Sequence, residues 1–278
     1  MTEPADDGRP WEVRKTFMEH LLELRSRILV SLFFVLAATI ASWVFWKELG
    51  AIITKPVHDY NAVAPEPARV ELITTGPFEA FTAVLHLGLW AGLALAFPVV
   101  AWQTWRFVAP GLYRSERLAL VPILTMGTVF FAGGVWFAYS FVVPIGMAYL
   151  LSFAPDLGVR SKLALGEYMH FFVMVLVAFG ITFETPLVIL ALGRLGLVTA
   201  RGLVRAWRYV TVGAFVIGAI LTPPDVLTQF LMAGSLLVLY ILSIVLVWVF
   251  GRRRLVEEPG KSAAPQEPGP GPAAGGSQ

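Results

Sequence analysis

Apolar residues along this chain gather into six runs divided by short polar stretches: Ile28–Trp46, Phe78–Trp105, Leu118–Phe141, Tyr168–Leu192, Tyr209–Leu221 and Val226–Phe250. A helix needs roughly 20 apolar residues to cross about 30 Å of hydrocarbon, and most of these runs reach or approach that length. The pattern predicts an all-α, polytopic membrane protein with six transmembrane helices, whose even number of crossings puts both chain ends on one side. Ahead of the first run, Phe17, Leu21, Leu24 and Ile28 recur at helical spacing, and Thr16 and Glu19 stand in capping-box register. A helix is therefore expected to start there, lie along the membrane surface and turn into span one, with Glu19, Glu23 and Arg27 on its wet side.

Two features break the regularity of the spans. Tyr209–Leu221 has 13 residues, about 20 Å as a helix, and leads at once into Thr222-Pro223-Pro224-Asp225. There the prolines stop one helix and Thr222 or Asp225 can cap the next, so spans five and six are expected to be short or hairpin-like. Prolines 98, 122, 144 and 186 each remove an i to i−4 hydrogen bond in or beside spans two, three and four. Long, tilted and kinked helices beside one short hairpin predict a concave wall.

Composition and charge narrow the class. With 57% hydrophobic and 14% charged residues, the chain is too apolar for a water-soluble domain. Of its 21 Lys and Arg residues, sixteen fall in the two tails and in the loops after spans two and four. By the positive-inside rule both termini are cytoplasmic. Trp43, Trp46, Trp102, Trp105, Trp207 and Trp248 fall near span ends, where interfacial anchors belong. The first 27 residues are polar and acidic, so no cleavable signal peptide is expected and span one serves as the insertion signal. The expected organisation is a cytoplasmic tail over 1–15, a six-span membrane domain over 16–250 and a disordered cytoplasmic tail over 251–278, rich in Pro, Gly, Ala and Ser.

The absence of cysteine removes disulfides, thiolate metal sites and cysteine nucleophiles. No His-Glu-x-x-His, Cys/His cluster or Gly-x-Ser-x-Gly elbow is present, so neither an enzyme nor a metal or cofactor site is expected. The basic residues follow topology and give no support for nucleic-acid binding.

What remains is three carboxylates. Glu184 is the one charge in Phe171–Leu192, at a depth where it disfavours insertion by roughly 2.5–3.5 kcal/mol. Three readings stand: a structural hydrogen bond to Thr182, Thr185 or a carbonyl freed by Pro186; a contact with a polar residue of a partner helix; or proton transfer. Glu23 sits four residues before Arg27, which suits a helix-surface ion pair as well as a binding site. Glu116 follows Ser115 in the loop between spans two and three, which suits the first turn of a capped helix equally well.

Four segments carry a resemblance. His20-Leu-Leu-Glu23-Leu-Arg25-Ser-Arg27 and Phe107-Val-Ala-Pro-Gly-Leu-Tyr-Arg-Ser-Glu116-Arg117 resemble the N-terminal and first cytoplasmic-loop signatures of TatC, the multispanning receptor subunit of the twin-arginine protein translocase. Phe179-Gly-Ile-Thr-Phe-Glu184-Thr-Pro186 is similar to the family's intramembrane glutamate motif. Ala214 to Gln229, through Thr222-Pro223-Pro224-Asp225, is similar to its fifth span and outer turn. The likeness runs over roughly Phe17 to Phe250 and departs at span two. There the family often has an acidic residue just before the Pro-Phe or Ala-Phe that opens the span, whereas this chain has Glu79 after Phe78.

The resemblance implies a subunit that binds Arg-Arg signal peptides at its cytoplasmic face. With TatA/TatB-type single-span subunits it would move folded cargo across the cell inner membrane, using the proton-motive force. It implies Glu23 and Glu116 as the recognition pair, with His20, Arg25 and Phe107 shaping the site. Glu184, Pro186 and Gln229 become intramembrane partner contacts, and Pro223, Pro224 and Asp225 the outer turn. Membrane lipids and further copies of the chain complete the implied partners. The rival reading is a proton-coupled small-molecule transporter using Glu184, which the lack of internal repeats disfavours.

Overall fold

The computed structural model describes residues 17–108, 114–156, 159, 161–221 and 225–251, with backbone alone for 17, 67, 108, 114–124 and 156. The expected tails and the turn residues Thr222, Pro223 and Pro224 lie outside the described residues, apart from Gly251. The chain forms α1 (Phe17–Val44), α2 (Trp46–Val63), a 3-10 turn (Glu66–Ala68), β1 (Glu71–Ile73), α3 (Glu79–Val108) and α4 (Arg114–Phe137). A π turn (Ala138–Val142) then leads into α5 (Val143–Asp156), β2 (Lys162–Ala164), α6 (Leu165–Phe183), α7 (Thr185–Arg194), α8 (Ala200–Leu221) and α9 (Val226–Phe250). Among the described residues, six segments are long and apolar enough to cross a membrane: Met18–Val44, Glu79–Phe107, Thr125–Pro155, Leu165–Arg194, Ala200–Leu221 and Val226–Phe250. α1 begins and α9 ends at what we term the first face.

Three elements differ from expectation. α1 is one helix of 28 residues and does not turn at the membrane surface. No Pro or Gly interrupts Phe17–Val44, so nothing stops propagation. Span five's apolar run is the distal part of a 22-residue helix whose first turns carry Arg201, Arg205 and Arg208. Charge shortened the apparent span without shortening the helix. The third is α2, an 18-residue helix in a stretch between the first two runs for which no element was expected.

Of the four span prolines, two coincide with breaks in the regular α-helix. Pro144 cannot donate toward Ser140, and the turn before it widens, with Val143 N–H reaching back to the Ala138 carbonyl. Pro186 stands in the first turn of α7, just past Glu184, where α6 ends.

The fourth span is the most enclosed, with 50% of its apolar window buried against 11% for the first and fifth. Phe172, Phe179, Val142, Val143 and Met232 lie at the centre of the core. Small residues let the spans approach closely. A Cβ at Gly92 of α3 would lie 2.5 Å from the Thr39 backbone of α1, and one at Gly134 of α4 would lie 2.6 Å from the Phe179 carbonyl. Along α4, Gly127, Phe131 and Gly134 face Glu184, Gly180 and Phe179 in antiparallel order.

The opposite face is tied down by polar contacts. β1 and β2 pair in parallel, Leu72 beside Leu163, and Asn61 both donates to and accepts from Val70. Glu79, the displaced acidic residue, accepts from Gly166 N–H at 2.6 Å, from the Thr75 hydroxyl at 2.7 Å and from the Thr75 N–H. It joins the starts of α3 and α6. The hydroxyls of Tyr139 and Tyr168 donate to the carbonyls of Ile52 and Ile53 in α2, at 3.1 and 2.6 Å.

Candidate functional site: a carboxylate cluster at the first face and Glu184 in the bundle

α1 and α3 run antiparallel, so the start of α1 meets the end of α3. His20 stacks on Phe107 with ring centroids 4.3 Å apart. Two turns along α1, Arg27 donates to Glu23 Oε1 and to Gln103 Oε1 on α3, both at 3.2 Å. Glu23 is mostly shielded, its side chain 15% exposed, while Arg25 is exposed on the far side of the helix. The i, i+4 ion pair allowed by the sequence is thus formed, and Gln103 extends it between helices. Gln103, 8% exposed, was not singled out in the sequence. Its signal was an amide inside the apolar end of span two. Glu116 lies in the first turn of α4, which begins at Arg114 and so takes in Ser115 as well, and the Glu116 side chain is outside the described residues.

Glu184 is the hinge residue between α6 and α7. Its N–H donates to the Ile181 carbonyl, and its carbonyl accepts from the N–H groups of Leu187 and Val188. The carboxylate is directed at α4, where a Cβ on Gly127 would lie 3.0 Å from Oε2. Oε1 is buried and has no hydrogen-bond partner among the described residues. Oε1 thus makes no hydrogen bond to Thr182 or Thr185, two of the partners named in the first of the three readings. Those two threonines instead line an apolar cavity of about 470 Å³ on the other side of the hinge, with Trp90, Met174, Ile217 and Leu236.

At the α8–α9 turn, Asp225 caps α9. Its carboxylate accepts from Thr228 N–H at 2.8 Å and contacts the Thr228 hydroxyl. Gln229 Nε2 donates to the Phe215 carbonyl at 3.2 Å, and its backbone faces Gly218. The structure therefore brings His20, Glu23 and Phe107 together at one end of the bundle. Glu184 and Gln229 sit on different helix seams, the first on α4 and the second on α8. No group of three or more His, Cys, Asp or Glu that could hold a metal ion occurs among the described residues.

Six apolar spans, a tethered cap on one face and a mostly shielded carboxylate on the other define a polytopic α-helical membrane protein. A family profile described as Sec-independent protein translocase protein (TatC) matches residues 19–234. The TatC protein of Azotobacter chroococcum mcd 1 is 38% identical over 250 residues, 90% of this chain and 94% of its own. That of Aquifex aeolicus (strain VF5) is 39% identical over 229 residues, 82% of this chain and 92% of its own. A crystal structure of the twin-arginine translocase receptor TatC superposes with a TM-score of 0.74 at 37% identity, covering 84% of this chain and 100% of that one. The chain belongs to the TatC family. It is a component of the Sec-independent protein translocase, not an enzyme, and the small-molecule transporter alternative is not supported.

Proposed function

We propose that this subunit receives Arg-Arg signal peptides at the first face, which faces the cytoplasm, with Glu23 and Glu116 as the two carboxylates. The observation that carries the reading is the Glu23–Arg27–Gln103 link, which holds a carboxylate in place at the junction of α1 and α3. A carboxylate offers about four lone-pair sites, and Arg27 takes one of those on Oε1. Guanidinium groups bind carboxylates in a planar two-point geometry that an ammonium cannot match, so such a site selects Arg-Arg over Lys-Lys. His20 stacked on Phe107 fixes the wall beside it, and Arg25 orients carboxylates or meets lipid phosphate.

Two charge-assisted contacts of about 1.5–3 kcal/mol each give a dissociation constant near millimolar or somewhat tighter. The signal's apolar segment supplies the remainder by burial along the bundle's concave wall. Glu184, with Pro186 setting its hinge, and Gln229 serve the single-span TatA/TatB-type partners. The buried Oε1 of Glu184 makes no hydrogen bond within the chain, which supports a role at this seam beyond a bond to Thr182 or Thr185. Pro223, Pro224 and Asp225 fix the outer turn that starts α9. The location is the inner membrane with both termini cytoplasmic, following the Lys/Arg distribution.

The test is site-specific photocrosslinking of Arg-Arg and Lys-Lys signal peptides, in native-like membranes, to probes beside Glu23 and Glu116. Arg-Arg labelling that disappears in Glu23→Ala and in Glu116→Ala is expected. Equal labelling by both peptides, insensitive to both substitutions, would overturn the reading.

A further inference from the structure

On the face opposite the signal-peptide cluster, a second cavity of about 470 Å³ opens between α2 and the widened turn of span three. Its rim carries one cation and one anion, Lys55 and Asp59, and Pro144, Met147 and Ala148 form an apolar floor beside Ser140. The two charges are four residues apart on α2, which is ordinarily pairing distance. Among the described residues, no ion pair or hydrogen bond joins them or engages either side chain elsewhere. The order explains part of this, because a cation placed N-terminal to an anion is the weaker arrangement on a helix. Both side chains are exposed. The chain thus presents opposite charges above an apolar slot that borders the π turn ahead of Pro144.

The level of the cavity in the membrane follows from tryptophans on the two elements that form it. Trp46 opens α2, and Trp136 precedes the π turn by two residues. Trp136 is 62% exposed and meets the exposed Phe141 edge to face at 5.8 Å. Exposed tryptophans of this kind sit at the headgroup level. Small-ligand sites run from about 300 to 1,000 Å³, and this cavity falls in that range.

We propose that this cavity binds the headgroup of a zwitterionic phospholipid with a primary ammonium, phosphatidylethanolamine. Lys55 takes the phosphate, Asp59 accepts hydrogen bonds from the ammonium, and the first acyl carbons lie along Pro144, Met147 and Ala148. The ammonium and phosphate are joined by a two-carbon link, which suits charges one helical turn apart. A choline headgroup has no N–H to give Asp59, and a glycerol headgroup has no cation, so each satisfies half of the site.

Native mass spectrometry of the full-length protein in detergent, titrated with dioleoyl phosphatidylethanolamine, phosphatidylcholine and phosphatidylglycerol, tests this. The wild type should hold phosphatidylethanolamine about tenfold more tightly than the other two. Lys55→Gln and Asp59→Asn should each weaken it about tenfold, and Asp59→Asn should leave phosphatidylglycerol unchanged or tighter. Arg69→Gln, also on this face, should change nothing. Because both rim side chains are exposed and unpaired, the variants should keep the wild-type melting temperature. Phosphatidylglycerol preferred in the wild type would mean a plain cationic patch and would overturn the proposal. So would phosphatidylethanolamine binding untouched by both substitutions, or lowered equally by Arg69→Gln.

Discussion

Gly133 and Gly134 are neighbours in α4, yet a methyl group has opposite meaning at each. At Gly133 it would meet nothing within 4 Å, whereas at Gly134 it would stand 2.6 Å from the Phe179 carbonyl and 2.8 Å from the Phe183 ring. Backbone cannot yield as a side-chain end can, so α4 must move off α6. Gly134→Ala is expected to cost about 1–3 kcal/mol, and Gly133→Ala to be neutral or to stabilise by up to about 1 kcal/mol. The folded fraction surviving a temperature series in detergent separates the two. Glu184 argues at the same scale with the reverse sign. A buried carboxylate oxygen without a partner costs stability. Glu184→Leu should therefore raise thermal resistance by about 1 kcal/mol or more while reducing transport of an Arg-Arg cargo. If the same substitution lowers stability, Glu184 is a structural residue.

α2 shows how an element escapes a reading for membrane spans. Leu49, Ile52, Ile53, Pro56, Val57 and Tyr60 mark one helical stripe, and Ile53, Pro56 and Val57 are buried. The stripe is legible once sought, but Lys47, Glu48, Lys55 and Asp59 lower the mean hydropathy and Pro56 reads as a stop. The structure absorbs that proline. Pro56 has no N–H for the Ile52 carbonyl one turn back, and the Tyr139 hydroxyl of span three supplies the missing donor. Tyr139→Phe should cost about 1 kcal/mol. Pro56→Ala restores an N–H, so in that background Tyr139→Phe should cost measurably less, and a double-mutant cycle on melting stability reads the difference. Additive effects would show that the tyrosine serves the carbonyl no better than solvent does.

The same contrast separates what the sequence made legible at the sites. The six spans, the hinge at Glu184 and the cap at Asp225 follow from hydropathy, Pro and turn chemistry, all of which act within a few residues. The Arg27–Gln103 link and the Glu79–Gly166 tether join positions 76 and 87 residues apart. No local pattern carries such a pairing. Glu23 looked like half of a surface ion pair because its other half, Arg27, is local, and only the α1–α3 register reveals the third member. The span-two departure resolves in the same way: Glu79 lies beyond Phe78 yet reaches back to Thr75 and across to Gly166.

At the scale of the whole molecule, α1 lies at the edge of the bundle, 11% buried over its apolar window, with α3 as its main neighbour. The proposed receptor carboxylate Glu23 is therefore held by one helix pair, and the closest approach in that pair is far from it. Thr39, which meets Gly92, is sixteen residues from Glu23, about 24 Å along the helix. Farther on, Trp43 packs over Gly88 and donates from Nε1 to the Leu85 carbonyl at 3.2 Å. A side chain at position 92 would press on the α1 backbone and swing a straight, uninterrupted helix as a lever, pulling Arg27 away from Gln103. Gly92→Val should therefore reduce Arg-Arg peptide crosslinking at Glu23 severalfold, although the substitution lies near the middle of its span, away from the first face. Gly50→Ala, which meets nothing within 4 Å, should leave crosslinking unchanged. A Gly92→Val protein that folds and labels like the wild type would mean the site is held by local contacts at the first face, not by the α1–α3 seam.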